Sequence, residues 1–79
     1  MAYVYILRCG DESLYTGATT DLERRLEQHG AGQASRYTRS RLPVVVVWSR
    51  EVEDWSAALK EERRIKRLSR AEKLALIQD

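Results

Sequence analysis

Two tyrosine-bearing segments separated by a short turn limit what this chain can fold into. Across residues 2–9, Tyr3, Tyr5 and Leu7 alternate with Val4, Ile6 and Arg8, the two-residue period of a strand. Gly10, Asp11, Glu12 and Ser13 follow with turn chemistry, and Leu14 to Gly17 reads as a second, short strand. A connection this short pairs its strands as an antiparallel hairpin, which sets Tyr5 and Tyr15 on neighbouring strands. An isolated hairpin is only marginally stable in water, so the rest of the chain must cover it.

That cover is legible downstream. Thr20-Asp21-Leu22-Glu23 has the form of a capping box and predicts a helix from about Asp21 to His29, with Gly30 as its stop. Residues 31–42, rich in Gly, Gln, Ser and Arg, read as an irregular basic loop. Pro43 is tolerated at a strand start, and Val44 to Trp48 reads as a buried strand. A long helix starts near Asp54 or Trp55, with Trp55, Ala58, Leu59 and Ile65 on one face. Ser69-Arg70-Ala71-Glu72 is a second capping box, and Ala71, Leu74 and Ile77 line the inner side of a last helix. The reading is an α/β fold of the α+β type. It has a three-stranded antiparallel sheet flanked by helices, in the order β-β-α-β-α-α, within one domain over residues 1–79. A chain of 79 residues supports one small core.

Several chemistries are excluded early. Cys9 is the sole cysteine and reads as a small buried hydrophobe, so no internal disulfide forms and a reducing cytoplasm is the natural setting. Cys9 and His29 alone cannot build a structural zinc site. There is no signal peptide and no run long enough to span a membrane. No glycine-rich phosphate loop and no serine elbow is present. Charge is unevenly placed. Arg36, Arg39, Arg41 and Arg50 occupy residues 32–50 without an acid, and residues 63–73 carry six basic side chains against Glu72 alone. Such local excess suits a polyanion or a solvated helix face.

Three polar residues sit where apolar ones belong. At 3.6 residues per turn, Leu22, Arg25, Leu26 and His29 form one stripe, so the first helix turns a guanidinium and an imidazole toward the sheet. Glu62 falls on the face of Ala58, Leu59 and Ile65, whereas Glu61 is rotated toward solvent. An inward carboxylate can bind a hard cation such as Mg²⁺ or pair with Arg25. Tyr3, Tyr5 and Tyr15 are ordinary strand aromatics by themselves. A phenol, with a pKa of about 10, becomes a useful base only beside positive charge. Arg36-Tyr37-Thr38-Arg39 alternates arginine with an aromatic, a pattern suited to phosphate contact and base stacking.

Taken in order, Tyr3-Val4-Tyr5, Tyr15-Thr16-Gly17, Arg25, His29 and Glu62 resemble the GIY-YIG nuclease superfamily. Arg36 to Arg39, Pro43 before the valines, Glu62 with Ile65-Lys66, and Ser69 to Lys73 are similar to its small stand-alone bacterial branch. Two positions depart from the pattern: Tyr3 stands in place of a glycine, and Ala18 stands where repair-type members place a lysine. No asparagine is present, whereas some members use one near the domain end.

The resemblance implies metal-dependent hydrolysis of phosphodiester bonds in DNA, in repair or processing. One Mg²⁺ or Mn²⁺ ion would sit on Glu62. Tyr5 would activate water with Tyr15 in support, Arg25 would neutralise phosphate charge, and His29 would position or relay a proton. Arg36, Tyr37, Arg39 and Lys66 would contact the nucleic acid. DNA is preferred over RNA on the resemblance alone. The alternative is a nucleic-acid-binding module with weak or no cleavage, and a third reading is a scaffold whose basic face meets an acidic protein. With no room for a targeting domain, substrate choice would come from a protein partner, self-association or the shape of the nucleic acid.

Overall fold

A computed structural model describes residues 1–78. The elements are β1 (Ala2–Arg8), β2 (Leu14–Thr19), α1 (Leu22–Gly30), α2 (Arg36–Arg39), β3 (Val45–Val52), α3 (Trp55–Lys66) and α4 (Arg70–Gln78). Apart from the four-residue α2, this is the order anticipated from the sequence. The three strands form one antiparallel sheet in the order β2-β1-β3.

Because β1 is central, it is buried on both faces, and pairing partners share a face. Tyr3, Tyr5 and Leu7 lie opposite Thr19, Gly17 and Tyr15, while Val4 and Ile6 lie opposite Ala18 and Thr16. Ala2, Val4 and Ile6 pack with Ala58 and Ile65 of α3, joined by Leu68, Leu76 and Ile77 from the C-terminal part. The odd-numbered β1 side chains face the other way, where His29 of α1 meets Tyr5. The sheet therefore separates an apolar core under α3 and α4 from a polar layer beneath α1 and α2.

Local chemistry shifts several boundaries. The α1 cap is Asp21 and not Thr20: the Asp21 carboxylate accepts from Arg24 N–H at 3.1 Å, and the Thr19 hydroxyl accepts from Asp21 N–H. Gly30 is the last helical residue, and the left-handed turn falls at Gly32. The Ser69 box forms as expected, with Ser69 N–H donating to Glu72 at 2.9 Å and Glu72 N–H donating to the Ser69 hydroxyl at 3.2 Å. Within α4, Leu76 and Ile77 turn inward while Ala71 and Leu74 are exposed.

The valine run is not a buried strand. β3 is an edge, and Val45 and Val46 are 49% and 42% exposed. A bulge at Val47 lets Ile6 pair with Trp48 and Leu7 with Val46, a common way to bend an exposed edge. No helix among the described residues is long and apolar enough to cross a membrane.

Candidate active site

The site is assembled around the Tyr5 side chain. Its partner across the hairpin is Gly17, and the absence of a side chain there admits the phenol. A methyl group at position 17 would lie 2.6 Å from Tyr5 Cζ and closer still to the hydroxyl oxygen. Glycine in a strand interior weakens it, and close approach by another group is one reason to keep it. The glycine of the second tyrosine segment thus exists for the tyrosine of the first.

The Tyr5 hydroxyl lies 2.8 Å from His29 Nε2, and His29 Nδ1 lies 2.9 Å from the Thr38 hydroxyl. All three residues are buried. Tyr15, diagonal to Tyr5 on the same face, meets the His29 ring edge-on at 5.4 Å and stacks on Tyr37 at 5.7 Å. The Arg41 guanidinium sits 3.9 Å from the Tyr37 ring centre and is anchored by Asp11 at 3.0 Å and the Tyr37 carbonyl at 2.9 Å. The β1–β2 turn and the α2 segment are thereby tied together beside the tyrosines.

Burial dominates the proton affinities here. It pushes the Tyr5 phenol well above its usual value, with Tyr15 and Glu62 acting in the same sense and the Arg25 charge opposing them. It also holds the His29 imidazole below its usual value, helped by Arg25.

Arg25 is half-buried, pairs with no carboxylate among the described residues, and lines a shallow hollow of about 290 Å³ with Thr19, Asp21 and Gln28. The ion pair between Arg25 and Glu62 does not form. Glu62 meets Lys66 at 3.6 Å instead. Glu61 is the side chain the helical pattern misplaces: it is 14% exposed and bound by Arg50 at 2.6 Å and by Arg64. Arg50 of β3 pairs with Val4 and so shares the face that packs on α3, a cross-element contact that no helical wheel contains.

Glu62 is the carboxylate that a lightly held metal ion would use. Its carboxylate makes no hydrogen bond among the described residues, and its one ion pair is long. No group of three His, Cys, Asp or Glu side chains converges among those residues. A single carboxylate with open coordination suits Mg²⁺, which retains several waters, and not a closed protein cage.

The structure brings together Tyr5, Tyr15, His29 and Tyr37, while Arg25 lines a separate hollow and Glu62 pairs with Lys66. Arg36 and Arg39 stand exposed on α2, lining a hollow with Gln33 and Ser35. Lys66 is drawn to Glu62. Thr38 and Arg41 were not singled out by sequence. A buried histidine in need of a second partner is the signal that points to Thr38. The alternation of arginine with Tyr37, extended by two residues, points to Arg41.

Comparison with known proteins places the chain in a family. The family model for the GIY-YIG catalytic domain matches residues 1–75. A UPF0213 protein of Natronomonas pharaonis is 51% identical over 98% of this chain and 91% of its own length. One from Oceanobacillus iheyensis is 53% identical over 96% and 88%. The solution NMR structure of a UPF0213 protein from Bacillus halodurans superposes with a TM-score of 0.64 at 42% identity, over 99% of this chain and 84% of that one. A catalytic-domain match over nearly the whole chain, with relatives about half identical to it, leaves one assignment: the chain belongs to the GIY-YIG nuclease superfamily.

Proposed function

We propose that this protein is a metal-dependent nuclease that hydrolyses phosphodiester bonds in DNA, acting in repair or processing in the cytoplasm, with residues 1–79 as the catalytic domain. The observation that supports it most is the Tyr5–His29 hydrogen bond, with Tyr15 edge-on to the same imidazole.

The raised proton affinity of Tyr5 disfavours a standing phenolate at neutral pH, so the residues work better as a relay. The attacking water gives its proton to the Tyr5 oxygen as the Tyr5 proton passes to the neutral His29 Nε2. The water oxygen bonds to phosphorus, and the bond to the leaving ester oxygen breaks. Tyr15 holds His29 and the water from the side. Arg25, unpaired and at the rim, neutralises charge growing on the non-bridging oxygens. Glu62 would hold Mg²⁺ or Mn²⁺, which when bound polarises the phosphate and stabilises the leaving oxygen. Arg36, Arg39 and Lys66 contact the backbone, and Tyr37 with its attached Arg41 forms the wall beside it.

The test is incubation with branched, single-stranded and duplex DNA, with Mg²⁺ or with chelator, beside Tyr5→Phe, Arg25→Ala and Glu62→Ala. Cleavage by wild type in Mg²⁺ alone, lost in all three variants while binding persists, supports the proposal. Binding without cleavage by every form would leave a nucleic-acid-binding module.

A further inference from the structure

The hydrogen bonds around His29 leave one consistent placement of protons. A neutral imidazole carries one donor and one acceptor nitrogen. If Nε2 held the proton, it would donate to Tyr5, and the buried Tyr5 hydroxyl would have no protein acceptor for its own among the described residues. His29 is the only partner that hydroxyl has among the described residues. A buried donor without an acceptor costs about 1–3 kcal/mol. With the proton on Nδ1, every donor is used. Tyr5 donates to Nε2, Nδ1–H donates to the Thr38 oxygen, and the Thr38 hydroxyl donates to the Ser35 carbonyl at 3.4 Å.

We infer that Thr38 is a positioning residue that fixes the tautomer of His29, with the proton on Nδ1 and the Nε2 lone pair facing the Tyr5 hydroxyl. Its relevance to catalysis rests on the nuclease reading above; the proton placement does not. Thr38 is suited to this by its place in the fold. On the single turn α2, it points inward and is fully buried, while Arg36, Tyr37 and Arg39 point outward. The Ser35 side chain caps that turn by accepting from Tyr37 N–H at 3.1 Å, which holds the Ser35 carbonyl in reach of Thr38. The side chains that would meet a phosphate backbone and the one that orients the histidine thus share one rigid turn.

His29 is the sole histidine, so ¹⁵N-labelled protein gives one imidazole pattern in a long-range ¹H–¹⁵N correlation spectrum. At pH 7.5 the wild type should show the Nδ1–H tautomer. Thr38→Ser should keep it, and Thr38→Val, similar in size but without a hydroxyl, should lose it. An Nε2–H pattern in the wild type, or a pure Nδ1–H pattern surviving in Thr38→Val, would overturn the inference. Should Thr38→Val fail to fold, Thr38→Ala, smaller and also without a hydroxyl, should show the same loss and decides the question. In single-turnover cleavage, Thr38→Val should lower the rate about tenfold or more with substrate affinity unchanged, and Thr38→Ser should restore it. A wild type with the Nδ1–H pattern that cleaves nothing would sink the nuclease reading and leave the assignment of Thr38 standing.

Discussion

Replacing Gly17 with alanine should be destabilising, against the usual expectation for a strand. Gly17 has no positive φ to protect, so restricting its unfolded freedom would alone stabilise the protein by about 0.5–1 kcal/mol. The structure opposes this. The new methyl would lie 2.6 Å from Tyr5 Cζ, and ordinary carbon contact begins near ~3.5 Å, so the ring must retreat roughly 1 Å. Tyr5 is 1% exposed, so its ring can retreat only into packed neighbours. Overpacking of this kind costs about 1–3 kcal/mol. Loss of the His29 hydrogen bond adds about 1–2 kcal/mol. The net loss is about 1–4.5 kcal/mol, centred on ~3 kcal/mol, which lowers Tm by roughly 10–25 °C at that centre in a domain of this size. Urea and thermal denaturation of Gly17→Ala would show it. In a Tyr5→Leu background the same alanine should cost less, with a coupling of about 1–2 kcal/mol. Stability of Gly17→Ala at or above wild type would refute the argument that Tyr5 occupies the space of that side chain.

Other consequences are simpler to test. Tyr5→Phe should lower the cleavage rate about 100-fold or more in single-turnover assays while DNA affinity by fluorescence anisotropy stays within twofold. The rate should rise with pH through the lowered His29 value, which lies below the usual ~6.5, and be flat near neutrality, because the relay needs a neutral imidazole. Glu61→Gln should cost about 1–2 kcal/mol at pH 7. The Glu61 carboxyl is held low chiefly by its hydrogen bond to Arg64 and secondarily by Arg50, so this stabilisation exists above the unfolded carboxylate value and fades as pH falls through the lowered one. The wild-type and Glu61→Gln denaturation curves should therefore converge in acid. Mg²⁺ at ten times its dissociation constant should stabilise the wild type by about 1.4 kcal/mol, and Glu62→Gln should abolish that shift.

The candidate site is legible in the sequence where it breaks the hydrophobic pattern. Arg25 and His29 on an apolar stripe, and Glu62 on another, stand out against a regular period, and the hairpin turn fixes which strands are neighbours. What escaped notice depends on contacts between distant elements. Thr38 lies on a helix of four residues, too short to show periodicity, and its role follows from a hydrogen bond to a residue nine positions away. Glu61 was assigned to solvent by helical geometry alone, whereas Arg50 on β3 determines its place. Four consecutive valines signal a strand, yet β propensity does not distinguish a central strand from an edge, and here β1 takes the centre. At α1, Thr20 and Asp21 are both good caps, and the Thr19 hydroxyl settles the choice by holding the Asp21 backbone.

The claim that residues from β1 and from α3 form one catalytic site is tested most directly by a double-mutant cycle. Single-turnover cleavage of a labelled branched DNA in Mg²⁺ would be measured for wild type, Tyr5→Phe, Glu62→Gln and the double variant. Residues acting on the same phosphate in one step are strongly non-additive, so the double variant should cleave little more slowly than the worse single variant. Fully additive losses, or single variants that cleave as fast as wild type, would contradict a shared site.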